Sequence, residues 1–164
     1  MKTTALATLA ATALPMLAGE KASPSVMRNR DICATALVME AGGEGRIGME
    51  LVWQVAWERV ASKRWPDTPV KVLLQSSLNK RGVRVWQFSC FNNVSLGRAI
   101  TTAQKHPRWR DALGIVSAPP VYRPSVNARG CNHYHATYIN KPYWARGVGP
   151  QLTYKRHHFY RLEN

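Results

Sequence analysis

The sequence predicts an α+β fold, a helical body followed by a small antiparallel sheet. Apolar residues recur at helical spacing through the first half of the chain, and short alternating segments rich in aromatic and β-branched residues gather in the second. Helices come first and short strands last, which suggests a small sheet packed on a helical body. The 164 residues are one domain's worth, and 45% hydrophobic content with six Trp and six Tyr suits a folded globule.

The chain opens on "MKTTALATLAATALPMLAGEK", one early Lys and then an uncharged run from Thr3 to Gly19, the layout of an export signal. Its cleavage positions are poor, because Met16 stands two residues before Ala18 and Glu20 two before Ala22. Residues 1–22 therefore read as a signal peptide or as a weak membrane anchor, with an Ala-rich amphipathic helix of a cytoplasmic protein as the bland alternative. Residues 23–30, polar and holding a proline, read as a linker.

A helix is expected next, capped by Asn29 or Asp31, with Ile32, Ala36 and Met39 on its apolar face. Gly42 and Gly43 should end it by taking the left-handed position that glycine tolerates. A second helix over 47–62 places Met49, Val52, Trp53, Ala56 and Val60 on one stripe, with Glu50, Gln54 and Glu58 opposite. A third is expected over "TPVKVLLQSS", with Thr68 as cap and Pro69 in its first turn. "RGVRVWQFSCFN" reads as a strand or an extended wall, and 95–118 as helix broken at Pro107. After a proline-marked loop, "CNHYHATYI" and "HHFYRLEN" read as strands.

A formal net charge of +14 calls for an anionic partner: nucleic acid, an anionic membrane surface, or a wall polymer bearing carboxylates and phosphates. Charge alone does not choose among them, and a merely solvated basic surface is the plain alternative. The three cysteines, Cys33, Cys90 and Cys131, suggest one disulfide and one buried thiol in an exported protein, without fixing the pairing.

With so few acids in the chain, "LVMEAGGEGRIG" stands out. Glu40 closes an apolar helix behind Val38 and Met39, the partly desolvated setting that a general acid needs. Glu44 lies beyond the glycines, near the positive end of the next helix dipole. The two read as an acid with a stabilising anion, or as two surface glutamates at a turn, one of them capping the second helix. In "CNHYH", Cys131, His133 and His135 would share one face of a strand and could ligate zinc, as in a wall peptidase or amidase. The alternative is a polar, aromatic groove lining. A Cys131–His nucleophilic pair is a weaker reading still. Trp86, Phe88, Tyr134, Tyr138, Tyr143, Trp144, Phe159 and Tyr160 among basic residues suit stacking on sugars or bases, and some must be core.

"LVMEAGGEGRIG", "RWPDTPVKVLLQSS", "WQFSC", "GCNHYHATYINKPYWA" and "RHHFYR", in this order, resemble the spore-cortex-lytic (SleB-like) type of cell-wall hydrolase, found in bacterial envelopes and phages. The resemblance implies a lysozyme- and transglycosylase-like helical lobe with a small sheet over residues 31–164, a glycosidase (lytic transglycosylase or muramidase) cutting the β-1,4 bond between N-acetylmuramic acid and N-acetylglucosamine of peptidoglycan without a cofactor or metal. It implies Glu40 as catalytic acid/base and Glu44 as a supporting cleft residue. It also implies a cleft walled by Gln87, Phe88, Ser89, His133, Tyr134, His135, Trp144, His157 and Tyr160. Gly42 or Gly43, Met49 and Glu58 depart from the residues usual at those places. The expected partner is anionic murein, held through the basic surface, with phage particle proteins a further partner and nucleic acid none. Free in solution the chain is expected to be a monomer. Action in the periplasm or cell wall is expected, or else at the membrane or in a phage particle. An inactive phage or envelope structural protein and a zinc-dependent wall enzyme are the rival readings.

Overall fold

The computed structural model describes residues 24–163. The leader and the first linker residue lie outside the described residues. Helix α1 (Pro24–Ala41) begins earlier than the sequence suggests, so the expected linker residues from Pro24 onward are already helical. A proline in the first turn forfeits no hydrogen bond, since the N–H it lacks has no helical partner there.

A 3-10 turn (Gly42–Glu44) joins α1 to α2 (Gly45–Ala61). The left-handed conformation falls at Gly45, with φ +80°, and at neither Gly42 nor Gly43. Gly42 leaves room for the His106 ring, from which a Cβ would stand 2.9 Å, while a Cβ on Gly43 would meet only the movable tip of the Arg156 side chain, at 2.7 Å.

Helix α2 is buried nearly all round. Its expected polar side fails at Glu50 and Gln54, which are 4% and 1% exposed. A proline-marked loop crosses that side and is held there. Gln54 donates to Val121 O and accepts from the Ala128 amide, Arg123 pairs with Glu50, and the Tyr122 hydroxyl donates to Glu58 at 2.8 Å. Glu50, Gln54 and Glu58 thus each have a partner, as burial of a polar group requires.

Helix α3 (Pro69–Leu73) is shorter than expected, and Thr68 makes no side-chain cap bond. Its predicted second half runs instead into β1 (Ser76–Leu78), which pairs antiparallel with β2 (Arg84–Trp86). Helices α4 (Leu96–Gln104) and α5 (Trp109–Val116) flank the expected break at Pro107, and Ser95 caps α4 through the Arg98 amide. The main core joins α1 and α2, through residues such as Leu37, Val38, Val52 and Trp53, to Leu73, Phe88, Ala103 and Ile115.

The second half supplies β3 (His133–Ala136), β4 (Leu152–Tyr154) and β5 (His157–Tyr160), an antiparallel sheet in the order β3-β5-β4. Strand β4 had no separate expectation. The sheet rests on α2 through a smaller core of Leu51, Val55, Ala128, Cys131 and Phe159. The expected α+β class holds, with the helical lobe first and the sheet last.

All three cysteines are free, so the disulfide suggested by their number is absent among the described residues. Cys33 lies in the helical core and Cys131 in the small core, while Cys90 follows the cleft wall. No described helix is long and apolar enough to cross a membrane.

Candidate active site

The end of α1, the 87–89 segment after β2, and the edge strand β3 with the loop after it enclose a cleft of about 690 Å³. Glu40 projects into it, half-buried. Its Oε1 accepts from the Cys90 amide at 2.9 Å and from the Ser89 hydroxyl at 3.2 Å, and its Oε2 accepts from the Tyr134 hydroxyl at 3.0 Å. Three elements distant in sequence therefore converge on one carboxylate. The Ser89–Phe91 3-10 turn aims the amide, and strand β3 aims the phenol.

Burial and the neighbouring Glu40 hold the Tyr134 phenol well above the usual tyrosine range, so it remains a donor to the carboxylate. Burial and Glu40 likewise push the Cys90 thiol up, which keeps it from acting as a thiolate. The Tyr134 ring packs against Phe88, His157 and Phe159 at centroid distances of 5.5–6.1 Å, and this packing fixes where its hydroxyl points.

Glu44 sits elsewhere. It is 3% exposed and absent from the cleft lining, and it neither lies on the surface nor caps α2 with its side chain. Its carboxylate accepts from Arg156 Nε at 2.8 Å, and its backbone carbonyl accepts from Lys155 Nζ at 2.8 Å. Both partners lie on the tight turn between β4 and β5, where Lys155 takes φ +47°. Glu44 thus straps the sheet to the α1–α2 junction, one turn beyond Glu40.

Gln87, Phe88, Ser89, His133, Tyr134, His135, Trp144 and His157 all line the cleft with Glu40. Tyr160 lies just behind the lining, 2% exposed, with its ring stacked on His135 at 5.4 Å. His135 Nδ1 faces the Ala136 carbonyl at 2.8 Å, so in the neutral ring Nδ1 carries the proton and Nε2 accepts from the Tyr160 hydroxyl at 3.0 Å. Burial, then Arg59 and Arg64, lower His133 to about 4. Burial also lowers His157, against the pull of Glu44 and Glu40. Both rings are therefore neutral at physiological pH.

The zinc set proposed from "CNHYH" does not assemble. His133 and His135 share a face under Trp144, at 4.9 and 5.8 Å, but Cys131 precedes the strand and is buried in the small core. Among the described residues no group of three or more His, Cys, Asp or Glu side chains is placed to hold a metal ion. Burial also raises the Cys131 thiol to about 11, against a role as nucleophile.

Arg59 is the charged lining residue that the sequence reading missed. It is 6% exposed, its Nε donates to Asn132 O at 2.7 Å, and its guanidinium lies over the Trp65 and Phe88 rings at 5.6 and 5.4 Å. A signal was present: position 59 falls on the apolar stripe of α2, three residues after Ala56, where a charged residue is out of place unless it is paired. Met39, expected on the buried face of α1, is 42% exposed and lines the cleft instead.

The helical lobe and the small sheet meet at a cleft in which Glu40 is the one carboxylate among the described lining residues, walled by aromatic rings and imidazoles, the form of a ligand-binding cleft. A family model described as Cell Wall Hydrolase matches residues 43–160. The chain belongs to this SleB-like cell-wall hydrolase family, whose substrate is peptidoglycan and whose place of action is outside the cytoplasm. The match begins just past Glu40, so the case for that residue rests on the geometry above. No curated protein and no solved structure matches the chain.

Proposed function

We propose that the protein is a lytic transglycosylase that cuts the β-1,4 bond between N-acetylmuramic acid and N-acetylglucosamine, with Glu40 as the general acid and then the general base. One observation carries this reading: among the described residues that line the cleft, Glu40 is the sole carboxylate. A hydrolase of the two-carboxylate kind needs a second acid across the scissile bond, either to activate water or to trap the sugar. The candidates for that role are Glu44, which is held by Arg156, and Asp67, which is exposed on Lys71, and neither lines the cleft.

The carboxylate's partners assign its oxygens. The Cys90 amide can only donate, so Oε1 is the accepting oxygen and Oε2 carries the proton. The Tyr134 hydroxyl beside Oε2 can accept from it when Glu40 is protonated and donate to it when Glu40 is ionised. Glu40 gives this proton to the bridging oxygen as positive charge develops on the muramic C1. The resulting carboxylate then takes the proton of the muramic C6 hydroxyl, whose oxygen closes onto C1. The products are a 1,6-anhydromuramyl end and a free N-acetylglucosamine hydroxyl, with no water consumed. The basic surface would hold the chain on anionic murein, and residues 1–22 would export it.

The test is Glu40→Gln, which preserves size and the accepting oxygen and removes the proton donor. Clearing of embedded murein should fall at least about a hundredfold, with wall binding and the circular dichroism spectrum retained. A Glu40→Gln protein that clears murein at a near wild-type rate would remove the assignment.

A further inference from the structure

The loop after β3 presents two tyrosines with no structural task. Tyr138 and Tyr143 are 77% and 82% exposed, yet both line the same cleft as Glu40. Large rings left in water forgo burial energy, and an exposed aromatic surface inside a cleft is a place to look for a ligand. Their surroundings are fixed. The Thr137 amide donates to Arg156 O at 2.8 Å, and the Ala145 amide donates to Pro142 O at 3.0 Å. Lys141 Nζ donates to Val148 O at 2.8 Å. Trp144, next to Tyr143, packs on His133, His135 and Tyr160 and is half-buried by them. Tyr138 and Tyr143 meet no other ring among the described residues.

We infer that Tyr138 and Tyr143 form a stacking wall for N-acetylhexosamine rings of the glycan strand outside the bond being cut, giving the enzyme a preference for long strands. The inference rests on the proposed function, because it takes the strand to lie along the cleft past Glu40. The chemistry of the wall selects the ligand. With Ile139 and Pro142 it is an uncharged surface on a protein of net charge +14, so it is built for the apolar C–H face of a pyranose and not for a phosphate or carboxylate. The phenol hydroxyls at its edge can bond to the ring hydroxyls and acetamido groups of the sugar.

Calorimetric binding tests this in the full chain carrying Glu40→Gln, so that the ligand is not cut. The probes are long murein glycan strands freed of peptide and a tetrasaccharide of the same sugars. Adding Tyr138→Ala and Tyr143→Ala together should weaken long-strand binding about tenfold or more, equal to about 1.4 kcal/mol, and tetrasaccharide binding much less. Adding Tyr138→Phe and Tyr143→Phe instead should keep most of the long-strand affinity. An unchanged long-to-short ratio in the alanine pair overturns the inference, and so does a phenylalanine pair as impaired as the alanine pair. Residual cutting by the Glu40→Gln parent would count against the acid assignment and leave the wall to be judged on its own binding ratio.

Discussion

The helical body and the three-stranded sheet bury their residues in different ways, and the cleft around Glu40 lies where the two ways meet. Along α1 and α2, from Ile32 to Val38 and from Met49 to Ala56, no residue is more exposed than the 6% of Cys33. The sheet has a core of five residues, and most of its remaining aromatic rings and imidazoles turn toward the cleft or toward Trp144. The body therefore fixes where Glu40, the proposed acid, stands, and the sheet supplies much of the cleft wall that a substrate would meet. A close-packed helix end cannot shift by even a methylene without cost, which suits a catalytic group. A groove lining needs polar tips and exposed faces, which suits recognition.

The two regions are tied together at Glu44 and Arg156, and breaking this tie should have the largest effect on stability. Glu44→Gln removes a charged partner from a buried position and should cost about 1–3 kcal/mol, read as a lower melting temperature. It should lower activity as well, because the β4–β5 turn would no longer hold the sheet beside Glu40. Activity lost with no change in melting temperature would instead make Glu44 a direct participant in the chemistry.

Tyr134→Phe sharpens the comparison from the sheet side. The ring keeps its packing on Phe88 and Phe159, so the melting temperature should stay near wild type. Losing the hydroxyl at Glu40 Oε2 should lower kcat about tenfold, the equivalent of about 1.4 kcal/mol, and move the pH–rate profile. A stable variant with an unshifted profile would mean that the hydroxyl does not act on the carboxylate.

The smallest effect expected concerns His133, whose folded value of about 4 lies below the ordinary 6.5. Its neutral form is favoured by folding, so the stability it contributes is complete above about pH 6.5. That contribution is lost as pH falls toward 4, because the unfolded chain binds the proton first. Thermal melts of wild type and His133→Gln across this window should differ in slope, with the variant less sensitive to acid. Parallel curves would mean that the imidazole is free to charge in the folded protein.

The difference between the regions also explains what could be read from the sequence. Periodic apolar residues made α1, α2 and the α4–α5 pair legible, because burial on one face leaves a spacing. Boundaries suffered where one residue type serves two ends. Pro24 reads as linker but opens α1, and "QSSL" reads as the tail of a helix but forms β1. Glu50 and Gln54 look solvent-facing until the 119–132 loop covers them, and that contact is nonlocal. Strand β4, three residues long, leaves too little alternation to see. Of the cleft, the place of Glu40 at the end of α1 and the wall in "QFS" and "HYH" were legible from motif resemblance. The distinct positions of Glu40 and Glu44 were not, because Ser89, Cys90 and Tyr134 hold the one and Lys155 and Arg156 the other, all far away in sequence.

The most direct test of a single working carboxylate is the chemistry of the new chain ends. Murein digested by the purified protein and resolved by mass spectrometry should yield muropeptides ending in 1,6-anhydromuramic acid, lighter by one water than their hydrolysed counterparts and resistant to borohydride reduction. Reducing muramic ends as the main product would contradict the account and require a second catalytic acid. Reducing N-acetylglucosamine ends would place the cut at the other glycosidic bond.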